Sequence, residues 1–107
     1  MKKATMQHDL FVNPSRRGRA IYPFVVVLQA DVVDADTRIV APLAATVIMA
    51  APPSRALPLV SHEGQEYVVM MRLMGVLPAR HIRQSVGSVA RYRDDITRAL
   101  DWLFFGI

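Results

Sequence analysis

The stretch SVARYRDDITRALDWLFFGI, residues 88–107, decides the fold because its periodicity differs from that of everything before it. Apolar residues recur in it at spacings of three and four, which predicts a helix from about residue 89 to about residue 104 with one apolar face. That face consists of Val89, Tyr92, Ile96, Ala99, Leu100 and Leu103. Ser88 is a candidate N-cap, Asp94 and Arg98 are spaced for a favourable ion pair, and Gly106 ends the helix.

The residues before this helix are typical of short β-strands. Asp9–Val12 is a short strand candidate, followed by a polar loop, Ser15–Arg19, that contains Gly18. Phe24–Val32 is the clearest strand, because its β-branched and aromatic residues fit a pleated, largely buried surface. Asp34–Asp36 is predicted to form a turn.

Further strands are predicted in the middle of the chain. Arg38–Ala41 leads to Pro42, which indicates a sheet edge or a break because proline cannot donate a ladder hydrogen bond. Ala44–Ala51 fits a strand or a short helix, and its residues Thr46, Val47 and Ile48 favour a strand. The remaining segments are Leu57–Ser61 and Gln65–Arg72, which flank a hairpin loop at His62-Glu63-Gly64, and a short irregular stretch punctuated by Gly75 and Pro78.

The order of these elements indicates the fold class. Five or six short strands followed by one terminal helix predict an α+β protein with a small curved antiparallel sheet. Residues 1–107 show no internal repeat and are expected to form one domain. Residues 1–5 carry two lysines and no pattern, and we expect them to be a leader or extension.

The amino-acid composition excludes several kinds of functional site. The chain has 107 residues, of which 52% are apolar and 21% charged, and it contains no cysteine. Disulfides, thiolate nucleophiles and cysteine zinc sites are therefore excluded, which fits a reducing cytoplasm. Apolar runs such as Ile21–Leu28 and Thr46–Ala51 are far shorter than the roughly 20 residues of a membrane span. A cytoplasmic protein is expected.

No residue pattern points to catalysis. His8, His62 and His81 lie in separate elements, so neither a metal site nor a cofactor site is predicted. No nucleophile elbow, phosphate-cradling glycine loop or catalytic carboxylate pair is present, and an enzyme is not expected. Met70, Met71 and Met74 are predicted to fill the core.

The basic loop allows two interpretations. Arg16, Arg17 and Arg19 could bind the phosphates of RNA, as basic loops of small barrels do, or could form a solvated loop. The aromatic residues are not interleaved with these arginines as a base-stacking platform requires.

The last six residues are unusually aromatic. Trp102, Phe104, Phe105 and Ile107 crowd a chain end, where frayed and polar residues are the norm. One helix face cannot bury all of them, so part of this surface is expected to contact a partner.

The sequence resembles the CcdB toxins of bacterial toxin–antitoxin pairs. The resemblance covers nearly the whole chain from Met6, and it is strongest at QADVVD (29–34), RIVAPLA (38–44), RDDI (93–96) and DWLFFGI (101–107). Each fragment is short, but together they have the same order, spacing and position relative to the C-terminus as in that family.

The resemblance implies a fold, partners and a site. The fold would be a homodimer of a small SH3-like barrel, shared by CcdB and MazF, with a C-terminal helix. The partners would be the A subunit of DNA gyrase, which is trapped on cleaved DNA, and a CcdA-type antitoxin; DNA would be reached only through them, as part of plasmid maintenance. Carried over by position, the gyrase-binding residues would be Phe105, Gly106, Ile107, Asp101 and two strand residues, Val32 and Val33.

Two positions depart from the family pattern. Phe105 stands where the family usually has tryptophan, which weakens a cation–π contact by about 0.5–1 kcal/mol. Asp101 stands in place of an asparagine and adds a negative charge. These departures leave open a family member that keeps antitoxin binding without toxicity. A MazF-like enzyme that cuts RNA also stays open, because MazF toxins resemble CcdB in fold and the Arg16–Arg19 loop could hold a phosphate.

Overall fold

A computed structural model describes residues 6–33, 35–49 and 54–107 of the chain. The expected leader, Asp34 of the predicted turn, and Ala50 and Ala51 of the predicted segment Ala44–Ala51 lie outside the described residues. The described strands are β1 (Asp9–Val12), β2 (Phe24–Val27), β3 (Thr37–Ala45), β4 (Leu59–His62), β5 (Gln65–Val69), β6 (Gly75–Pro78) and β7 (Gly87–Ser88). The helix α1 (Arg93–Phe105) follows them, and short 3₁₀ turns lie at Gly18–Ala20, Met71–Leu73, Ala79–His81 and Ala90–Tyr92.

The sheet is antiparallel throughout and curls into a nearly closed barrel. Its strands run in the order β4-β5-β3-β2-β1-β7, with β6 added on β3. The long β3 makes this possible because it changes partner along its length: Thr37–Val40 pair with β6, and Leu43–Ala45 pair with β5. The α+β class predicted from the sequence is confirmed.

The core has two parts, one on each side of the sheet. Alternation along β1 and β2 sends Leu10 and Val26 to one side and Phe11 and Val25 to the other. The helix packs on the first side, where Ile96 and other residues of its apolar face are buried. The predicted helix face is confirmed, since Val89, Ile96 and Ala99 are buried and Tyr92, Leu100 and Leu103 pack against them.

The strand predicted over Phe24–Val32 is too long, because β2 ends at Val27. The chain turns just beyond it: the Val33 amide donates to the carbonyl oxygen of Ala30 at 3.0 Å. The Asp31 carboxylate accepts a hydrogen bond from the Gln7 amide at 2.6 Å, which holds this turn against the start of the fold. The β-branched residues beyond Val27 therefore belong to a turn and not to the sheet.

The prediction that Pro42 marks an edge or a break is wrong. Pro42 lies inside β3, opposite Val25 of β2. Its carbonyl oxygen accepts from the Met70 amide at 2.8 Å, and in an extended strand the missing N–H lies on that same side. This is the point where β3 passes from β5 to β6, so the absent donor interrupts no strand pairing.

Three other boundaries differ from the sequence prediction. Thr46–Ile48 form a turn instead of a strand, because the amides of Ile48 and Met49 both donate to the Ala45 carbonyl oxygen at 3.0 Å. The stretch predicted as irregular is strand β6, which pairs with residues of β3. The predicted segment Gln65–Arg72 ends as a strand at Val69 and continues as a 3₁₀ turn.

The helix begins later than predicted and ends where predicted. The prediction that Ser88 caps the helix is wrong, because Tyr92 is the N-cap of α1 and makes no side-chain cap hydrogen bond. Ser88 Oγ instead accepts a hydrogen bond from the Ala90 amide at 3.2 Å, just before the 3₁₀ turn that precedes α1. Arg98 pairs with Asp95 at 3.4 Å, one position away from the predicted Asp94. Gly106 has a φ of 71°, and its amide donates to the Trp102 carbonyl oxygen, which terminates the helix.

The hairpin between β4 and β5 is confirmed, with a turn of two residues. Glu63 and Gly64 have φ values of 50° and 78°, and this pair of positive angles is the turn that matches the twist of antiparallel strands. Nothing lies within 4 Å of a Cβ built on Gly64, so only backbone conformation restricts that position.

Gly64→Ala is therefore expected to lower the free energy of unfolding by about 1–2 kcal/mol, the cost of left-handed backbone for an L-residue. Gly75→Ala is the matched control, because a Cβ there also meets open space and no positive φ is required. Chemical denaturation of both variants measures the difference. Equal stability of the two would contradict the assigned turn.

His8, which directly precedes β1, is expected to make the stability of the fold depend on pH. Burial lowers the pKa of its imidazole, and the Arg93 guanidinium lowers it further, while Asp31 and Asp9 act in the opposite direction. The unfolded chain then binds more protons than the folded one between this lowered pKa and the ordinary value of about 6.5. The stabilising effect of the neutral imidazole is complete above that ordinary value and is lost as the pH falls below it.

We expect the urea concentration at the denaturation midpoint to decrease as the pH is lowered from 7.5 to 5.5. The decrease should be smaller in His8→Asn. Asparagine tolerates the positive φ of 71° at this position and does not titrate. Urea denaturation of both proteins across this range measures the effect. Identical pH dependence would show that another group is responsible.

Candidate functional site

The end of α1 projects its side chains into solvent. Phe105 is 74% exposed and Ile107 is 83% exposed. Gly106 lies between them in the left-handed conformation that ends the helix. We call Phe105, Gly106 and Ile107 the terminal tip. Large apolar side chains that are exposed close together are typical of surfaces that bind a partner.

Asp101 and Phe104 flank the terminal tip. Asp101 is exposed and lies four residues before Phe105, one turn earlier on the helix. Among the described residues it has no ion-pair partner, so its carboxylate faces solvent. Phe104 is also exposed, and sequence reasoning noted it as aromatic without assigning it to the site.

Val32 and Val33 occupy a different setting from the one predicted. They lie in the turn after β2 instead of in a strand, and they are 88% and 53% exposed. They do not line either of the two clefts beside the terminal tip. Their exposure still leaves them available to a partner.

A cleft of about 400 Å³ borders the terminal tip on one side. Trp102 and Ile107 both line it, and the Arg55 guanidinium carbon lies 4.7 Å from the centre of the tryptophan ring. The indole thus has a cation from its own chain on one face. The other lining residues are Ser54, Pro58, Asp95 and Arg98.

A second, more open apolar surface lies on the other side of the helix end. Met71, Met74, Leu103 and Phe104 line a cleft of about 330 Å³ together with Arg72. Met71 is fully buried and Met74 packs partly against the core, as predicted for core-filling methionines. The exposed side chains of Leu73 and Val76 follow Met71 along the chain. We call Met74, Leu103 and Phe104, which line this cleft, the apolar face.

In the part of the chain that the structure describes, no group of three or more His, Asp or Glu side chains is placed to hold a metal ion. No helix among those residues has the length and apolarity to cross a membrane.

Together, the barrel-like sheet and the exposed helix end define a small α+β protein with an apolar C-terminal tip. The family model described as CcdB protein matches residues 7–106, nearly the whole chain. The chain therefore belongs to the CcdB family, whose members are toxins of toxin–antitoxin systems. No curated protein matches the chain.

Proposed function

We propose that this protein is a toxin that binds the A subunit of DNA gyrase and traps gyrase on cleaved DNA. The observation that carries the proposal is the exposed terminal tip at the end of a well-packed helix in a CcdB-family chain. A CcdA-type antitoxin is the proposed neutralising partner, and the cytoplasm, where gyrase works, is the proposed location. A role in plasmid maintenance follows from these partners.

The proposed mechanism is differential binding. A protein that binds one conformation of gyrase more tightly than the others increases the population of that conformation. The bond-breaking chemistry then belongs to gyrase, so this chain is proposed to be no enzyme and to need no cofactor. Phe105 supplies a ring for stacking, Gly106 permits close approach of the backbone, and Ile107 adds an apolar end.

The departures from the family pattern are interpreted as matching to the host's own gyrase. Asp101 would need a cation opposite it on gyrase, since an unpaired charge in an interface is costly. Phe105 offers less area than tryptophan and would fit a smaller pocket on gyrase.

We further propose that the protein is a homodimer formed through the apolar face. Exposed apolar patches of several neighbouring side chains are typical of protein interfaces. Leu103 and Phe104 lie at the end of α1, so a contact there would bring the two helix ends of a dimer near each other. Two terminal tips would then act on one gyrase.

Binding to the purified gyrase A subunit of the protein's own host tests the proposal. The intact protein should bind, and a version lacking Phe105–Ile107 should not, while circular dichroism shows the same fold in both. Binding that survives the truncation would remove the terminal tip from the mechanism.

A second candidate function is antitoxin binding without toxicity, which the changes at Phe105 and Asp101 favour. A stable complex with the antitoxin encoded beside the gene, without gyrase binding, would establish it. Cleavage of RNA by the purified protein would instead support a MazF-like enzyme and overturn gyrase poisoning as the main function.

A further inference from the structure

The arginine-rich loop after β1 is held in a defined shape. The Asn13 side-chain amide donates to the Tyr22 carbonyl oxygen at 2.9 Å and accepts from the Ser15 amide at 3.0 Å. Ser15 Oγ accepts from the Gly18 amide, and a Cβ on Gly18 would lie 2.8 Å from Asn13 Nδ2. These contacts hold the backbone that carries Arg16, Arg17 and Arg19 in place.

A second basic segment lies against this loop. It follows β6 and carries Arg80, His81 and Arg83. The two segments flank an open cleft of about 510 Å³, whose polar lining residues are Arg19, His81, Arg83 and Gln84. Phe11, Val12, Pro14, Ile82 and Val86 form its apolar lining. We call this the basic cleft.

The excess positive charge of the protein is concentrated around the basic cleft. Residues 13–22 and 78–90 hold five of the thirteen Lys and Arg residues and none of the nine Asp and Glu residues. The other eight basic residues are outnumbered by those nine acids, so the net charge of +4 originates here. None of the five arginines takes part in an ion pair within the described residues.

We propose that the basic cleft binds the phosphate backbone of nucleic acid. Planar guanidinium groups match phosphate oxygens, and Arg19 is already oriented, since its Nε donates to the Asn13 carbonyl oxygen at 2.5 Å. Phe11 is buried and offers no face to a base, whereas the exposed imidazole of His81 lines the same cleft. The arginines are proposed to contact phosphates, and such contacts carry no sequence information.

This surface is separate from the terminal tip. The basic cleft and the cleft beside Ile107 share no lining residue. Nucleic-acid binding goes beyond the proposed gyrase contact and does not depend on it. DNA and RNA both present the required phosphates, and the experiment distinguishes the two.

The test is fluorescence anisotropy with a labelled 20-base-pair DNA duplex, the matching single strand and the matching RNA. We expect binding to at least one of them that weakens steeply with salt, as phosphate contacts require. The double variant Arg19→Gln/Arg83→Gln should lose at least tenfold in affinity, with a salt slope smaller by about 2. The truncation lacking Phe105–Ile107 should bind nucleic acid like the intact protein.

The matched control is Arg72→Gln/Arg98→Gln, which removes the same charge from exposed positions that line other clefts. It should lose less than threefold. Equal losses in the two double variants would overturn the proposal, because net charge alone would then explain binding. Lack of binding to all three probes at 50 mM salt, or tighter binding of polyglutamate than of any nucleic acid, would also overturn it.

Discussion

Replacing Phe105 by alanine is expected to weaken binding to the gyrase A subunit by about 30-fold or more, the effect of losing one aromatic anchor from an interface. The ring is 74% exposed and makes little contribution to the core, so the free energy of unfolding should change by less than about 0.5 kcal/mol. Calorimetric or surface-based titration measures the affinity.

Two variants serve as controls for this prediction. Thr97→Ala changes an exposed residue two turns earlier on α1 and should leave the affinity unchanged. Phe105→Trp restores the larger ring and should bind at least as tightly as the natural chain. If Phe105→Ala binds like Thr97→Ala, the terminal tip is not the gyrase contact.

Ile96→Ala is expected to lower the free energy of unfolding by about 2–5 kcal/mol. Ile96 is the large buried side chain with which α1 packs on the sheet, and alanine leaves a cavity between the two. For a domain of this size such a loss is a large part of the total stability. Urea denaturation followed by circular dichroism measures it.

Ile96→Val and Thr97→Ala set the scale for this second prediction. The valine variant removes one methyl group and should cost about 0.5–1.5 kcal/mol. The exposed Thr97→Ala variant should stay within about 0.5 kcal/mol of the natural protein. A small effect of Ile96→Ala would mean that the helix is not anchored through this residue.

The parts of the fold that follow from local chemistry could be predicted from the sequence. The apolar spacing from Val89 to Leu103 gave the helix face, and Gly106 gave its end. The glycine in the loop between β4 and β5 gave the hairpin. In each case, residues close together in the sequence are sufficient for the prediction.

The parts that depend on distant partners could not be predicted. Pro42 can lie inside β3 because β3 pairs with β6 before this residue and with β5 after it. The strand after Phe24 stops at Val27 because Gln7, far away in sequence, holds Asp31 in a turn. Val32 and Val33 therefore lie outside the sheet although their type favours a strand.

The candidate binding surfaces likewise include one that could be predicted from the sequence and one that could not. Aromatic crowding at the chain end indicated an exposed surface, and Phe105 and Ile107 are exposed. The basic cleft joins segments about 60 residues apart in the chain, and only the fold brings Arg19 and Arg83 to one cavity. No local pattern in the sequence links them.

The most direct test of the proposed function is DNA cleavage by gyrase purified from the protein's own host, with supercoiled plasmid and ATP. Linear DNA should accumulate with the intact protein and not with the version that lacks Phe105–Ile107. Absence of linear DNA with the intact, folded protein would contradict gyrase poisoning.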